Sequence, residues 1–189
     1  LILRKGTVVS MDNAGHIYSP GVVVIRDDTI VGVGELQTEG NYQAREVIDC
    51  TGQLVMPGLV NAHTHLPMTL LRGLADDMRL DVWLYGYMMP VERQFVNPDF
   101  CHWGTLLAGI ELIKAGVTSF ADMYYFEWDV AEAMAEIGLR GICGETILKF
   151  PTPDASSFDV GLEQCRQFIS EWKGHPLIIP AVAPHAPYT

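Results

Sequence analysis

The sequence predicts an α/β fold in which a short block of strands precedes alternating strands and helices. From about residue 54 onward, apolar strand-like runs alternate with amphipathic helical runs. This alternation is typical of βαβ units that build a parallel sheet with right-handed crossovers. Hydrophobic residues make up 49% of the 189 residues, a proportion that suits a well-buried core and argues against a disordered chain.

Residues 1–53 are predicted to form strands. The runs "GTVVSMD" and "HIYSPGVVVIRDDTIVGVG" are rich in β-branched residues and are separated by turn residues. Asp27 and Asp28 stand between two such runs and predict a hairpin turn. Because this block is short for an independent all-β domain, we expect it to be one portion of a composite domain, with four β/α units following over residues 54–189.

The second region begins with "LVMPGLVNAH", a continuous apolar run of the kind found in strands buried on both faces. The first long helix is expected from Asn97, a suitable cap followed by Pro98, to Gly116. The remaining elements are then predicted in alternation, as a strand at 117–123, a helix at 127–138, a strand at 139–148, a helix at 156–174 and a strand at 176–185.

Composition excludes several classes of function. The formal net charge of -11 argues against a surface for nucleic acid or anionic membrane. The four cysteines contain no C-x-x-C pair, so we expect reduced core thiols of a cytoplasmic protein. No apolar run approaches the ~20 residues of a membrane span, and no signal peptide, nucleophile elbow or phosphate-binding loop is visible.

The most informative motif is His63-Thr64-His65, which closes the first apolar run. In a strand, residues i and i+2 point to the same face, so both imidazoles can lean over one point beyond the strand end. Neutral imidazole is the commonest metal ligand in proteins. The pair therefore indicates a metal site, and the alternative is that the two rings only make local hydrogen bonds at a strand end.

Polar residues recur at the ends of the other predicted strands. Asp122 follows the second, Glu145 lies near the end of the third, and His185 follows the fourth. In β/α barrels the catalytic groups lie at these carboxyl ends. The alternatives are that Asp122 caps the following loop, that Glu145 is solvated and that His185 belongs to a rigid turn. Aromatic residues such as Trp83 are expected in the core or in a pocket wall.

The segments "VMPGLVNAHTH", "PMTLLRGLADD", "DVWLYGYMMPVE", "AGVTSFADM" and "PAVAPHAPYT" occur in this order along the chain. Together they resemble the amidohydrolase superfamily, in particular the branch of methylthioadenosine/S-adenosylhomocysteine deaminases, with triazine chlorohydrolases and guanine deaminases as relatives. The resemblance implies the first half of a (β/α)8 TIM-type barrel, preceded by a small β-sandwich portion. It also implies an N-terminal fragment of a longer enzyme, inactive alone, whose catalytic residues lie beyond Thr189.

The resemblance implies metal-dependent hydrolytic deamination of an aminopurine nucleoside of the adenosine, methylthioadenosine or S-adenosylhomocysteine type. His63 and His65 would be metal ligands. Glu92 would bind the ribose hydroxyls, His185 would touch the ring or the ribose, and Trp83 would line the pocket. The cofactor would be one divalent ion, zinc or in some relatives iron, because the fourth strand end lacks the lysine that bridges two metals in related enzymes.

Two other functions stay open at this point. One is a triazine or chloroaromatic hydrolase, or a guanine deaminase, on the same scaffold. The other, from a different class, is a non-enzymatic half-barrel that acts as a binding module. The expected partner is a small-molecule substrate, without nucleic acid or membrane, and the sequence leaves a homo-oligomer open.

Overall fold

The computed structural model describes residues 1–40 and 42–189. These residues divide into two compact units, Leu1–Gly58 and Leu59–Thr189. Among the described residues, no helix is both long and apolar enough to cross a bilayer.

The first unit is a five-stranded mixed sheet. Its strands are β1 (Ile2–Val9), β2 (Ile17–Arg26), β3 (Thr29–Glu35), β4 (Val47–Asp49) and β5 (Leu54–Val55). The order is β3-β2-β1-β4, and β5 also pairs with β1. The predicted hairpin is confirmed, because Arg26 pairs with Thr29 across a two-residue turn in which Asp27 has a positive φ of 53°. That this sheet belongs to a sandwich stays a prediction.

The sequence predicts one strand over the run "LVMPGLVNAH", residues 54–63, and this prediction is wrong. Its Leu54–Val55 part is β5, which pairs with Thr7 and Val8 of β1. The other part is a separate strand that begins at Leu59, after Met56, Pro57 and Gly58. Pro57 interrupts the run because it has no N–H to give to a ladder. The division between the two compact units therefore falls after Gly58 in the chain, whereas the sequence placed it after residue 53.

The second unit has the α/β architecture that the sequence predicts. Its parallel sheet has the order β6-β7-β8-β9. The strands are β6 (Leu59–Thr64), β7 (Val117–Tyr124), β8 (Arg140–Ile147) and β9 (Ile178–Pro184), and the helices are α1 (Met89–Phe95), α2 (Pro98–Lys114), α3 (Glu127–Ile137) and α4 (Phe158–Trp172). Short 3-10 and π turns cover Leu66–Leu71 and Val82–Met88. Four strands with intervening helices are the first half of a (β/α)8 barrel.

The helix boundaries follow the predicted signals. The Asn97 side chain accepts a hydrogen bond from the Phe100 backbone N–H at 2.9 Å, which satisfies a free donor in the first turn of α2. Gly116 follows α2 with a φ of 77°, and Gly138 follows α3 with a φ of 85°. Both residues adopt the left-handed conformation that favours glycine after a helix.

The core of the second unit lies where the helices meet the sheet. Fully buried residues there include Val130 and Met134 of α3 and Phe168 of α4. Val60 of β6 and Ile179 of β9, by contrast, are 69% and 59% exposed, so the prediction that the first barrel strand is buried on both faces is wrong for the described residues. Both belong to edge strands of the four-stranded sheet. The four cysteines are buried and unpaired, in agreement with the prediction of reduced core thiols.

Candidate active site

The two histidines of the motif stand together at the end of β6. Their ring centroids are 5.1 Å apart, and the ring planes are inclined at 80°. His65 Nδ1 donates a hydrogen bond to the carbonyl oxygen of Met123 at 2.6 Å. Since a carbonyl can only accept, the proton of neutral His65 is on Nδ1 and the lone pair of Nε2 is free. In metal-binding histidines, a hydrogen bond from the ring nitrogen that does not bind the metal fixes the orientation of the ring.

Asp122 fixes the backbone on both sides of His65. Its Oδ1 accepts from the Thr64 hydroxyl at 2.5 Å and from the Leu66 backbone N–H at 2.7 Å. The strand register shifts between Asn61 and Thr64, so the ladder alone does not hold this segment. Asp122 therefore does not simply cap the loop that follows it, as one interpretation of the sequence had it.

A cavity of about 70 Å³ lies beside His65 in the second unit. The sequence predicts five site residues, and four of them line this cavity: His65, Trp83, Glu92 and His185. Most other lining residues are apolar, including Met68, Met88, Met89 and Met123. Ligand pockets usually enclose about 300–1,000 Å³, so this cavity is smaller than a complete ligand pocket. His63 does not line this cavity.

Glu92 lines this cavity from α1. It is 6% exposed, and its Oε1 accepts from the Tyr124 hydroxyl at 2.9 Å. Within residues 1–40 and 42–189, Tyr124 is the one hydrogen-bond donor to this carboxylate. The pKa of Glu92 is raised overall, because burial outweighs the hydrogen bond from Tyr124 and the nearby His65, which both lower it. Glu92 is buried and belongs to no ion pair among the described residues, and Arg72 pairs with Glu111 at 2.6 Å.

His185 is half-buried at the end of β9. Its Nδ1 shares a hydrogen bond with the Thr189 hydroxyl at 2.7 Å, and its backbone N–H donates to the Ile147 carbonyl. Burial, and to a lesser extent His65, lowers the pKa of His185. At neutral pH this imidazole is therefore neutral and can both donate and accept a hydrogen bond.

The donor set partly fits a zinc ion. Zinc binds imidazole nitrogen, commonly with three protein ligands in catalytic sites. His63 and His65 offer two such nitrogens, and the ring orientation of His65 is fixed. Among the described residues, no third histidine, cysteine, aspartate or glutamate joins them to complete a set. A larger cavity, about 450 Å³, lies in the first unit, but no histidine or cysteine of the described chain lines it.

Two carboxyl pairs lie near the start of α3, and three of their four residues are buried while Asp154 is half-buried. Glu127 faces Asp122, and Glu145 faces Asp154. The backbone N–H of Glu127 donates to Glu145 Oε2 at 3.1 Å, and that of Phe126 donates to Asp154 Oδ2 at 2.9 Å. Glu145 is 1% exposed, so the interpretation of a solvated strand-end carboxylate is wrong. Sequence reasoning missed Glu127 and Asp154 because it considered strand ends alone, and both lie in the connections that follow.

Replacing Glu145 by glutamine is expected to flatten the pH dependence of stability. Burial first, and Asp154 next, raise the pKa of Glu145 from the ordinary 4.5 to about 9. Between these values the unfolded chain releases a proton that the folded chain keeps, so stability falls as pH rises. The Glu145→Gln variant keeps an acceptor for the Glu127 N–H and a donor for Asp154 but cannot ionise.

Thermal melts at pH 5 and pH 8 test this expectation. The difference in Tm between the two pH values should be smaller in the Glu145→Gln variant by several degrees, since about 1 kcal/mol shifts Tm by ~2–4 °C in a chain of this size. The control is Glu163→Gln, at an exposed residue of α4 that pairs with Arg166. Equal pH dependence in the Glu145 variant and the wild type would show that Glu145 is ionised in the folded chain.

Comparison with known proteins identifies the family of this chain. The sequence profile of the Amidohydrolase family matches residues 54–189. This chain belongs to the amidohydrolase family. A 5-methylthioadenosine/S-adenosylhomocysteine deaminase of Syntrophobacter fumaroxidans is 43% identical over 190 residues, which are 100% of this chain and 43% of that protein. The amidohydrolase chain described here thus spans about 43% of the length of that curated relative.

Two solved structures resemble this amidohydrolase chain. An adenosine deaminase from Xanthomonas campestris with bound zinc has a TM-score of 0.94 and 36% identity, and the match covers 100% of this chain and 43% of that one. An atrazine chlorohydrolase from Arthrobacter aurescens complexed with zinc has a TM-score of 0.84 at 19% identity, covering 97% of this chain and 46% of that one. The second likeness concerns the fold alone. The half-barrel prediction is confirmed.

Proposed function

We propose that this chain provides the first half of the barrel of a metal-dependent hydrolase that deaminates an aminopurine nucleoside. The observation that carries the proposal is the wall formed by His65, Glu92 and His185 around one cavity. It combines a metal-binding imidazole with a buried carboxylate suited to sugar hydroxyls. The names of relatives at 43% and 36% identity, deaminases of methylthioadenosine, S-adenosylhomocysteine and adenosine, support the same substrate class.

In the proposed reaction, His63 and His65 hold one divalent ion, zinc or iron. When bound, such an ion supplies a Lewis acid that lowers the pKa of water from 15.7 toward about 7. His65 would bind the ion through Nε2, because Nδ1 is held by the Met123 carbonyl. Since relatives are more than twice as long as this chain, we propose that the remaining ligands and the proton-transfer groups come from other parts of the enzyme, and that the chain alone is inactive.

Glu92 orients the substrate through its sugar. A carboxylate can accept hydrogen bonds from two adjacent hydroxyls, each a charge-assisted contact. The Tyr124 hydroxyl already occupies Oε1 and holds the carboxylate in place. The methionines and Trp83 supply apolar surface for a purine ring, and neutral His185 supplies a hydrogen bond to the ring or the ribose. The base would then lie toward His65, with the ribose toward Glu92.

A substrate panel tests the proposal. The complete enzyme, meaning this chain together with the rest of its barrel, would be loaded with zinc. Ammonia release would be measured from adenosine, methylthioadenosine and S-adenosylhomocysteine, then from adenine and guanine, and chloride release from a chlorotriazine. We expect kcat/KM to be highest for a nucleoside by at least about tenfold, because each 1.4 kcal/mol of sugar binding in the transition state is a factor of ten.

Other results of the panel would replace the proposal. Faster turnover of guanine or of a chlorotriazine would favour the guanine deaminase or triazine hydrolase interpretation on the same scaffold. Binding of a nucleoside without turnover of any compound, with zinc present, would favour a binding module. The metal content of the active preparation decides between zinc and iron, and two tightly bound ions per site would contradict the proposal of one.

A further inference from the structure

The carboxylate of Asp122 has two oxygens with different environments. Oδ1 accepts from Thr64 and Leu66, the residues that flank His65. Oδ2 is fully buried and has no hydrogen-bond partner in the part of the chain that the structure describes. The side chain as a whole is 4% exposed. Oδ1 therefore holds the histidine motif in place. Oδ2 still needs a hydrogen-bond donor, which a neighbouring group has to supply.

The neighbour is Glu127, the first residue of α3. Its side chain is completely buried, and neither of its carboxyl oxygens has a donor among the described residues. Its carboxyl group lies within hydrogen-bonding reach of the Asp122 carboxylate and of the Cys143 thiol. Asp122 Oδ2 is the oxygen of that carboxylate that still lacks a partner among the described residues. Two ionised carboxylates in this place would each be desolvated, and they would repel each other. One proton shared between them removes the repulsion and supplies the missing donor.

We propose that Glu127 is a neutral carboxylic acid that donates its O–H to Asp122 Oδ2, and that it is a positioning residue for His65. The proton belongs on Glu127 because Asp122 already accepts two hydrogen bonds, which favour its ionised form. Glu127 thereby orients Asp122, and Asp122 orients the Thr64–Leu66 segment that carries His65. The inference rests on the proposed function in one respect, that His63 and His65 bind the metal.

The electrostatics of the surrounding groups agree with this assignment. Burial raises the pKa of Glu127 well above its usual range, and Asp122 and Glu145 raise it further. The pKa of Asp122 is raised as well, because burial outweighs the hydrogen bonds from Thr64 and Leu66 that lower it, but that of Glu127 is raised further from its ordinary value. The pKa of the Cys143 thiol is raised well above its usual range too, so this group stays protonated and does not compete as an anion.

Two substitutions separate the hydrogen bond from the shape of the side chain. Glu127→Gln keeps the length and an N–H donor for Asp122 Oδ2. Glu127→Met has a similar length but no donor, so Asp122 can rotate or take water. Zinc affinity would be measured in the complete enzyme by competition with a chelator. We expect the glutamine variant to stay within about twofold of the wild type and the methionine variant to bind zinc 10–100-fold more weakly, the range typical for partners of metal ligands.

A matched control distinguishes positioning from stability. Met134 is a fully buried residue of the same helix that faces the apolar core. Met134→Ala should lower Tm but leave the zinc dissociation constant unchanged. If Glu127→Met binds zinc like the wild type, or if Glu127→Gln weakens zinc as much as Glu127→Met, the inference is wrong. If the wild type itself binds no zinc, the proposed function fails first, and the inference falls with it.

An infrared measurement covers the case in which the methionine variant does not fold. A neutral carboxylic acid has a C=O stretch distinct from the bands of a carboxylate. In a background that carries both Glu92→Gln and Glu145→Gln, which removes the two other buried glutamates with a raised pKa, this band should be present at pH 7. It should disappear on addition of Glu127→Gln. A spectrum without the band before that second substitution would overturn the proposal.

Discussion

Replacing His65 with alanine in the complete enzyme should abolish tight zinc binding and lower kcat for nucleoside deamination by roughly 10³-fold or more. The ion is expected to contribute several kcal/mol of transition-state stabilisation, and each 1.36 kcal/mol is a factor of ten in rate. His63→Ala should have a comparable effect, because the two rings stand 5.1 Å apart at one strand end. Metal analysis after dialysis, with kinetics on the same samples, measures both quantities.

The matched control is His16→Ala. His16 pairs with Asp12 at 2.6 Å at the surface of the first unit, and the structure gives it no metal role. This variant should keep the wild-type zinc content and kcat. A His65→Ala enzyme that retains both zinc and turnover would contradict the assignment of the motif as the metal site. Loss of zinc in the His16 variant would mean that the readout reports general destabilisation.

Replacing Glu92 with glutamine should lower kcat/KM for nucleosides by about tenfold or more while zinc content stays unchanged. A hydrogen bond to a charged group is worth about 1.5–3 kcal/mol, against roughly 0.5–1.5 kcal/mol for a neutral pair. The substitution keeps the shape and the acceptor for Tyr124 but removes the charge. Steady-state kinetics on adenosine and methylthioadenosine measure the change. Glu111→Gln, at an exposed residue that pairs with Arg72, is the control and should leave the kinetics unaltered.

A second variant separates orientation from direct contact. Tyr124→Phe removes the one described hydrogen bond to Glu92 and leaves the carboxylate itself in place. Its loss in kcat/KM should be smaller than that of Glu92→Gln, because the charge that meets the sugar remains. If the tyrosine variant is the more damaged of the two, Glu92 acts mainly as a partner of Tyr124.

Elements whose signals are local were predictable from the sequence. The cap at Asn97 and the stop at Gly116 depend on backbone groups within a few residues, so α2 was placed correctly. The adjacency of His63 and His65 follows from the strand period alone. The break at Pro57 was missed because an apolar run does not reveal that its first part pairs with β1, more than 40 residues earlier.

The buried acids could not be predicted from local pattern. A glutamate in the first turn of a helix normally favours solvent, and Glu127 is completely buried because the connection after β7 turns it toward Asp122. Asp154 joins Glu145 only after the chain has passed through a further strand and loop. Such pairs depend on which strand ends are neighbours in space. Of the pocket residues, His185 was named from its place at a predicted strand end, whereas Glu92 was named from the resemblance of its segment to relatives, which carries that spatial information.

We propose that the wall formed by His65, Glu92 and His185 binds a ribose and presents its purine to the metal. The most direct test compares adenosine with 2′,3′-dideoxyadenosine in the wild-type complete enzyme and in the Glu92→Gln variant. Removal of the hydroxyls should lower wild-type kcat/KM by about tenfold or more, and the same removal should cost the variant little, because both changes delete one interaction. Fully additive losses, or equal turnover of the two nucleosides by the wild type, would contradict the claim.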